Sequence, residues 1–159
     1  MTELEKTVDG EPRIADVMVT DVVTVKPEMG IKEFAELLRD KHIGGAPVVN
    51  DEGELIGIVS EGDLMSLDAD LHFPHYIQFL DSLIYLESAK KFEERLRKAV
   101  AANVGDIMTR DVHTVRRDDL VRKAATLMAD HGFDRVPVVE GGKVVGIVGR
   151  REVLKALGL

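Results

Sequence analysis

The sequence predicts a mixed α/β (α+β) protein made of two β-α-β-β-α repeats packed sheet to sheet, with a helical insertion between them. Three observations carry this. The 159-residue chain matches itself at an offset of 90, residues 14–49 falling on residues 104–139 with twelve identities in 36 positions. Each copy runs through the same succession of hydrophobic periods, a short β-type stretch, a helical face, then two short apolar runs. One copy of about 50 residues cannot bury the face of a three-stranded sheet alone, so two copies must cover each other. A period this long marks a duplication and not a solenoid.

The elements follow in order. The identities include Asp16/Asp106, Met18/Met108, Thr24/Thr114, Pro47/Pro137 and the Val-Val after each proline. Residues 22–25 and 112–115 read as a first strand. Ile31, Phe34, Ala35 and Leu38, and in the second copy Val121, Ala124, Ala125 and Met128, stand at i, i+3, i+4, i+7, which gives each copy an amphipathic helix. A second strand opens at Pro47 or Pro137, where a missing N–H is tolerable. Gly-containing turns at 51–53 and 141–142 then lead into apolar strands at 55–59 and 144–148, a hairpin signal. The offset has become 89 here, and Gly57-Ile58-Val59 falls on Gly146-Ile147-Val148. A last helix starts near Glu61 and Arg150.

Residues 66–102 have no counterpart after the second copy. Phe79, Leu80, Leu83, Ile84 and Leu86, then Phe92, Leu96 and Val100, predict helix, with a charged face of i, i+4 pairs. This segment is expected to pack on the module. The domain boundaries are therefore 1–12 for an N-terminal extension, 13–67 for the first repeat, 68–102 for the insertion and 103–159 for the second repeat.

Composition narrows the function. With 45% hydrophobic and 31% charged residues the chain has the balance of a globular protein. No apolar run reaches the roughly 18 residues of a membrane helix, and the first residues have no signal core; membrane insertion is not expected, and the expected location is cytoplasmic. There are no cysteines, which excludes disulfides and thiol chemistry. A net charge of −8 with five Phe, two Tyr and no Trp argues against nucleic acid as a ligand. His72 and His75 flank Phe73-Pro74 and have no evident third ligand, so no metal site is read there. His42, His113 and His131 are scattered. Neither a Ser-His-Asp order nor a phosphate-binding Gly-x-x-x-x-Gly-Lys-Ser/Thr loop is present, so no catalytic residue is assigned.

With those residues in place, each copy resembles a CBS domain. The likeness rests on the Asp-Val-Met or Asp-Ile-Met opening, the Thr-Val stretch, the Pro-Val-Val strand and Gly-Ile-Val-Ser-Glu-Gly-Asp at 57–63, and it covers about 105 residues. It implies a stand-alone pair of CBS domains: a regulatory module and not an enzyme, which requires no cofactor. The ligand implied is an adenine nucleotide (AMP, ADP or ATP) or S-adenosylmethionine, bound in clefts between the repeats. The module would form a homodimer and signal to an unknown protein partner.

The family's binding motif puts Ser60 where a strand gives way to a helix, with Asp63 one turn on to accept the ribose hydroxyls. Gly57 keeps the backbone approachable. Ser60-x-x-Asp63 is also a helix-capping pattern, and the two roles are compatible. The second copy has Gly149 for the Ser and Glu152 for the Asp. Arg135 stands where some family members hold phosphate, and the first copy has Gly45 there. The resemblance further implies that each cleft is completed from the opposite repeat. Residues 103–107, with Val104 against the base or in the core, would close the Ser60/Asp63 cleft. Residues 13–17 would close the Arg135/Glu152 cleft. The competing function is a ligand-free module for dimerisation or partner docking; an unrecognised hydrolase or transferase is a distant third.

Overall fold

The computed structural model describes residues 10–70, 76–79, 82–85, 90–91 and 102–159. The first repeat runs α1 (Ile14–Val17), α2 (Ile31–Lys41), β1 (Gly45–Val49), β2 (Leu55–Ser60) and α3 (Glu61–Asp70). After β3 (Tyr76–Phe79) and β4 (Ser82–Tyr85) the second repeat follows as α4 (Val104–Ile107), α5 (Val121–His131), β5 (Arg135–Glu140), β6 (Lys143–Gly149) and α6 (Arg150–Ala156). The duplication read from the sequence is thus repeated element by element.

In each repeat the two apolar runs form an antiparallel hairpin, with Pro47 opposite Ile58 and Pro137 opposite Ile147. The second hairpin turns through Gly141 and Gly142, whose φ of +58° and +80° is the backbone that two glycines accept at no steric cost. The expected third strand shrinks to one parallel bridge, Val25 beside Val48 and Val115 beside Val138. The prolines explain this. Val25 donates to the Pro47 carbonyl and accepts from Val49 N–H. The next bond of a parallel ladder would need an N–H on residue 47, and proline has none. Pro137 stops the ladder at Val115 in the same way.

The helical reading is corrected at Phe79, Leu83 and Ile84, while Leu80 and Leu86 lie outside the described residues. Tyr76 pairs with Tyr85, Ile77 with Ile84 and Phe79 with Ser82 in an antiparallel hairpin. Aromatic and β-branched residues on both sides of a short break favour strands, and so short an apolar run cannot fix its own period. Phe92, Leu96 and Val100, with His72 and His75, lie outside the described residues.

Two cores form, and each takes its first helix from the other repeat. Ile14, fully buried, joins Val115, Val121, Met128, Val136 and Val148 of the second repeat. Val104 and Met108 join Val25, Phe34, Leu38, Val48 and Val59 of the first. Backbone bonds hold the exchange. Ile14 and Ala15 donate to the carbonyls of Asp119 and Arg117; Val104 and Gly105 donate to those of Met29 and Pro27. Burying a side chain of this size is worth about 1.5–3 kcal/mol, so neither repeat keeps a complete core without the other. After each exchanged helix the chain crosses the partner hairpin, Thr109 bridging Ile58 and Val19 bridging Ile147. Those crossings leave a cleft on each side. No helix among the described residues is long and apolar enough to cross a membrane.

Candidate functional site

The first cleft, of about 200 Å³, is lined by Ser60 and Asp63, by Thr109, Asp111, Val112 and His113, and by residues 132–135. Three backbone junctions meet there. The end of β2 delivers Ser60, the chain after α4 crosses it, and the turn before β5 closes the far wall. Ser60 and Asp63 sit where capping requires. Asp63 Oδ2 accepts from Ser60 N–H at 2.7 Å and from its hydroxyl at 3.2 Å. This satisfies one of the free donors at the start of α3. Asp63 Oδ1 accepts no hydrogen bond from a described residue and remains available to a ligand. The capping reading of this pair is realised, and it leaves half the carboxylate uncommitted.

Opposite stands an aromatic wall. Phe133 and His113 are half-buried in the cleft, and exposed His131 stacks on both. The ring centroids lie 4.4 Å apart for His113–His131 and 5.0 Å for His131–Phe133. Sequence reading treated these histidines as scattered. His113 is six residues past α4 and His131 closes α5, and the bridge between Val115 and Val138 within the second repeat lays the stretch holding His113 beside the start of β5.

The second cleft, of about 390 Å³, is the counterpart of the first under the 90-residue repeat. Gly149 and Glu152 take the places of Ser60 and Asp63, and Glu152 caps Gly149 N–H at 2.9 Å as its counterpart does. The wall differs here, Val23 and Ile43 replacing His113 and Phe133 and His42 standing where the first cleft has Gly132. Charge differs too. The first cleft sets Asp63, Asp111 and Asp134 against one cation, Arg135. The second sets Asp21, Asp134 and Glu152 against Arg135, Arg150 and Arg151. Arg150 is committed to Asp134 at 3.0 Å and to the carbonyls of Phe133 and Gly132.

Arg135 was expected with Glu152 alone, but it lines both clefts. Its guanidinium lies over Gly44 and Gly45. A Cβ on Gly44 would stand 2.5 Å from Nη2, and one on Gly45 2.6 Å from Nη1. The arginine reaches the middle of the molecule only because the first repeat has no side chain there.

Of the two places left open for Val104, the structure shows the core, and two more expectations shift. Val104 is fully buried in the first core and does not line the cleft, because the exchanged helix spends its apolar side on packing. Gly57 is buried as well, and the approach it permits is that of Met108: a Cβ there would meet the sulfur at 2.6 Å and the Thr109 carbonyl at 3.1 Å. The segments that line these two clefts do come from the opposite repeats, but six residues on from 103–107 and 13–17, as Thr109–His113 and Val19–Val23. Asp16 and Val17 line a separate cavity with Arg151 and Glu152.

Comparison with known proteins adds the following. A family model described as CBS domain matches residues 14–70 and 104–159. The uncharacterized protein MJ1426 of Methanocaldococcus jannaschii is 34% identical over 154 residues, covering 91% of this chain and 90% of the relative. The chloroplastic CBS domain-containing protein CBSX2 of Arabidopsis thaliana is 32% identical over 137 residues, covering 83% of this chain but 57% of the relative. Among solved structures, CBSX2 in complex with AMP has a TM-score of 0.71 at 30% identity, covering 91% of this chain and 95% of that one. The CBS domain pair of MJ0100, in complex with 5′-methylthioadenosine and S-adenosylmethionine, has a TM-score of 0.67 at 23% identity, covering 93% and 97%; this second likeness is one of fold.

Proposed function

Because this chain belongs to the CBS-domain family, with two copies of the domain, we propose that it is a regulatory module, not an enzyme, that senses an adenosine ligand and passes the signal to a protein partner. The observation that carries this reading is the make-up of the first cleft. A hydroxyl and a half-free carboxylate, Ser60 and Asp63, face an arginine and an aromatic wall across one cavity. Those are the groups that a ribose, a phosphate and a base require. A structural neighbour at 30% identity is a complex with AMP, which supports the same chemistry.

The finer reading is that the first cleft takes a nucleoside with few phosphates. Three carboxylates against one arginine make a costly place for a triphosphate. The second cleft, roomier and richer in arginine, tolerates more negative charge. As a dimer the module would cover the large apolar side chains it leaves exposed, Met65, Leu154, Leu157 and Leu159. Light scattering would then give twice the 17.5 kDa of one chain.

The deciding test is thermal denaturation with AMP, ADP, ATP, S-adenosylmethionine and NAD. A ligand at 100 times its dissociation constant stabilises the fold by about 2.7 kcal/mol, or about 5–10 °C for a chain of this size. Absence of any shift at millimolar concentration leaves the ligand-free docking module as the function.

A further inference from the structure

Under the internal repeat, each cleft would be expected to own one residue at the start of its wall strand, Gly45 in the first copy and Arg135 in the second. The structure does not divide them this way. The half-buried Arg135 guanidinium occupies the space over Gly44 and Gly45, within reach of both cavities. It makes no hydrogen bond or ion pair with any described residue. Glu61, the carboxylate nearest that glycine pair, is not bonded to it. A half-buried guanidinium without an acceptor among the described residues is a ready anion site. There is one of it for two clefts.

We infer that the two clefts compete for this single guanidinium, so that a phosphate-bearing ligand in one weakens the binding of a second phosphate-bearing ligand in the other. The inference rests on the adenosine-ligand reading above and adds how the sites regulate each other. A guanidinium engaged by a phosphate in one cleft turns its donors away from the other. A second anion in the first cleft then faces Asp63, Asp111 and Asp134 with no other cation, and one in the second cleft keeps only Arg151 and the Asp134-bound Arg150. A ligand without a phosphate makes no demand on Arg135 and incurs no such penalty. The pair of sites therefore favours one charged ligand per chain, or one charged and one uncharged.

Titration calorimetry on the full chain with AMP and with adenosine tests this. Loss of one charge-assisted hydrogen-bond pair corresponds to at least about tenfold in affinity. The ratio of the two stepwise dissociation constants should accordingly be at least about tenfold larger for AMP than for adenosine. Arg135→Met should weaken the first AMP and bring the AMP ratio down to the adenosine ratio. Equal ratios for the two ligands in the parent chain would overturn the coupling while leaving the adenosine site intact. So would a ratio for AMP that widens in Arg135→Met, since that would trace the effect to direct phosphate repulsion. If neither ligand binds, both readings fall together. Because the second cleft also holds Arg150 and Arg151, the fall of the AMP ratio on removing Arg135 decides the matter, read from Arg135→Gln if Arg135→Met does not fold.

Discussion

Asp63→Ala separates the capping role of this carboxylate from the ligand role proposed for it. Its Oδ2 holds the Ser60 N–H at 2.7 Å, and truncation leaves that donor without its cap. The loss is about 1 kcal/mol, a fall in melting temperature of about 2–4 °C for a chain of this length. The other oxygen is free for ribose. Charge-assisted hydrogen bonds are worth roughly 1.5–3 kcal/mol each, so losing them weakens AMP by at least about tenfold. Glu152→Ala is the internal control. It removes the same cap, with Glu152 on Gly149 N–H at 2.9 Å, and should lower the ligand-free melting point by a similar amount. Its effect on the tighter AMP site should be smaller. Melts without ligand report the cap, and calorimetric titration of both variants reports the site. If Asp63→Ala binds AMP as the parent does while Glu152→Ala does not, the assignment of the clefts is reversed.

Two further outcomes follow from the packing and from one titrating group. Gly57→Ala and Gly146→Ala each place a methyl against a methionine sulfur, Met108 at 2.6 Å and Met18 at 2.7 Å, with a backbone carbonyl at 3.1 and 3.2 Å behind it. Both should lower stability by roughly 1–3 kcal/mol; an unchanged urea midpoint in either would contradict the exchanged-helix packing. Asp119 is partly buried, which works to raise its pKa, but hydrogen bonds from Lys123 and from Arg116 N–H and the charges of both outweigh this and hold it below 3.8. A depressed carboxylate stabilises the fold above its unfolded pKa, and the contribution is lost as pH falls through the folded value. Asp119→Asn should therefore be less stable than the parent at neutral pH, with the gap closing on acidification below 3.8. A gap that stays constant down to strongly acidic pH would mean the carboxylate charge is not what matters.

What the sequence disclosed and what it withheld divide along a physical line. The duplication, the hairpins and both amphipathic helices were legible because they rest on local periodicity and turn chemistry. The β3–β4 hairpin was not, since a run of Tyr, Ile, Phe and Leu satisfies a helical period over so short a stretch. The positions of His113, His131 and Phe133, and the central place of Arg135, were illegible for another reason. The cluster depends on the long-range bridge between Val115 and Val138, and the place of Arg135 on how its repeat meets Gly44 and Gly45 of the other; no local pattern encodes either.

The two copies themselves show which residues serve which end. Some residues kept identical at the repeat offset have packing duties: Met18 and Met108 fill the space over Gly146 and Gly57, and Pro47 and Pro137 end the parallel ladders; others, Asp21 with Asp111 and Val22 with Val112, line both clefts alike. Several pairs that differ in chemistry line the clefts, namely Ser60 against Gly149, Asp63 against Glu152, His113 against Val23, Phe133 against Ile43 and Arg135 against Gly45. Had both clefts served the same ligand in the same way, the pseudo-symmetric fold would have offered identical pairs at no structural cost at most of these positions. Residue 45 is the exception. Two arginines could not occupy the space that one guanidinium fills over the glycine pair, so a side chain on one copy requires its absence on the other. The asymmetry of the clefts is thus partly forced by their closeness, and the same closeness makes the single arginine a shared resource between them.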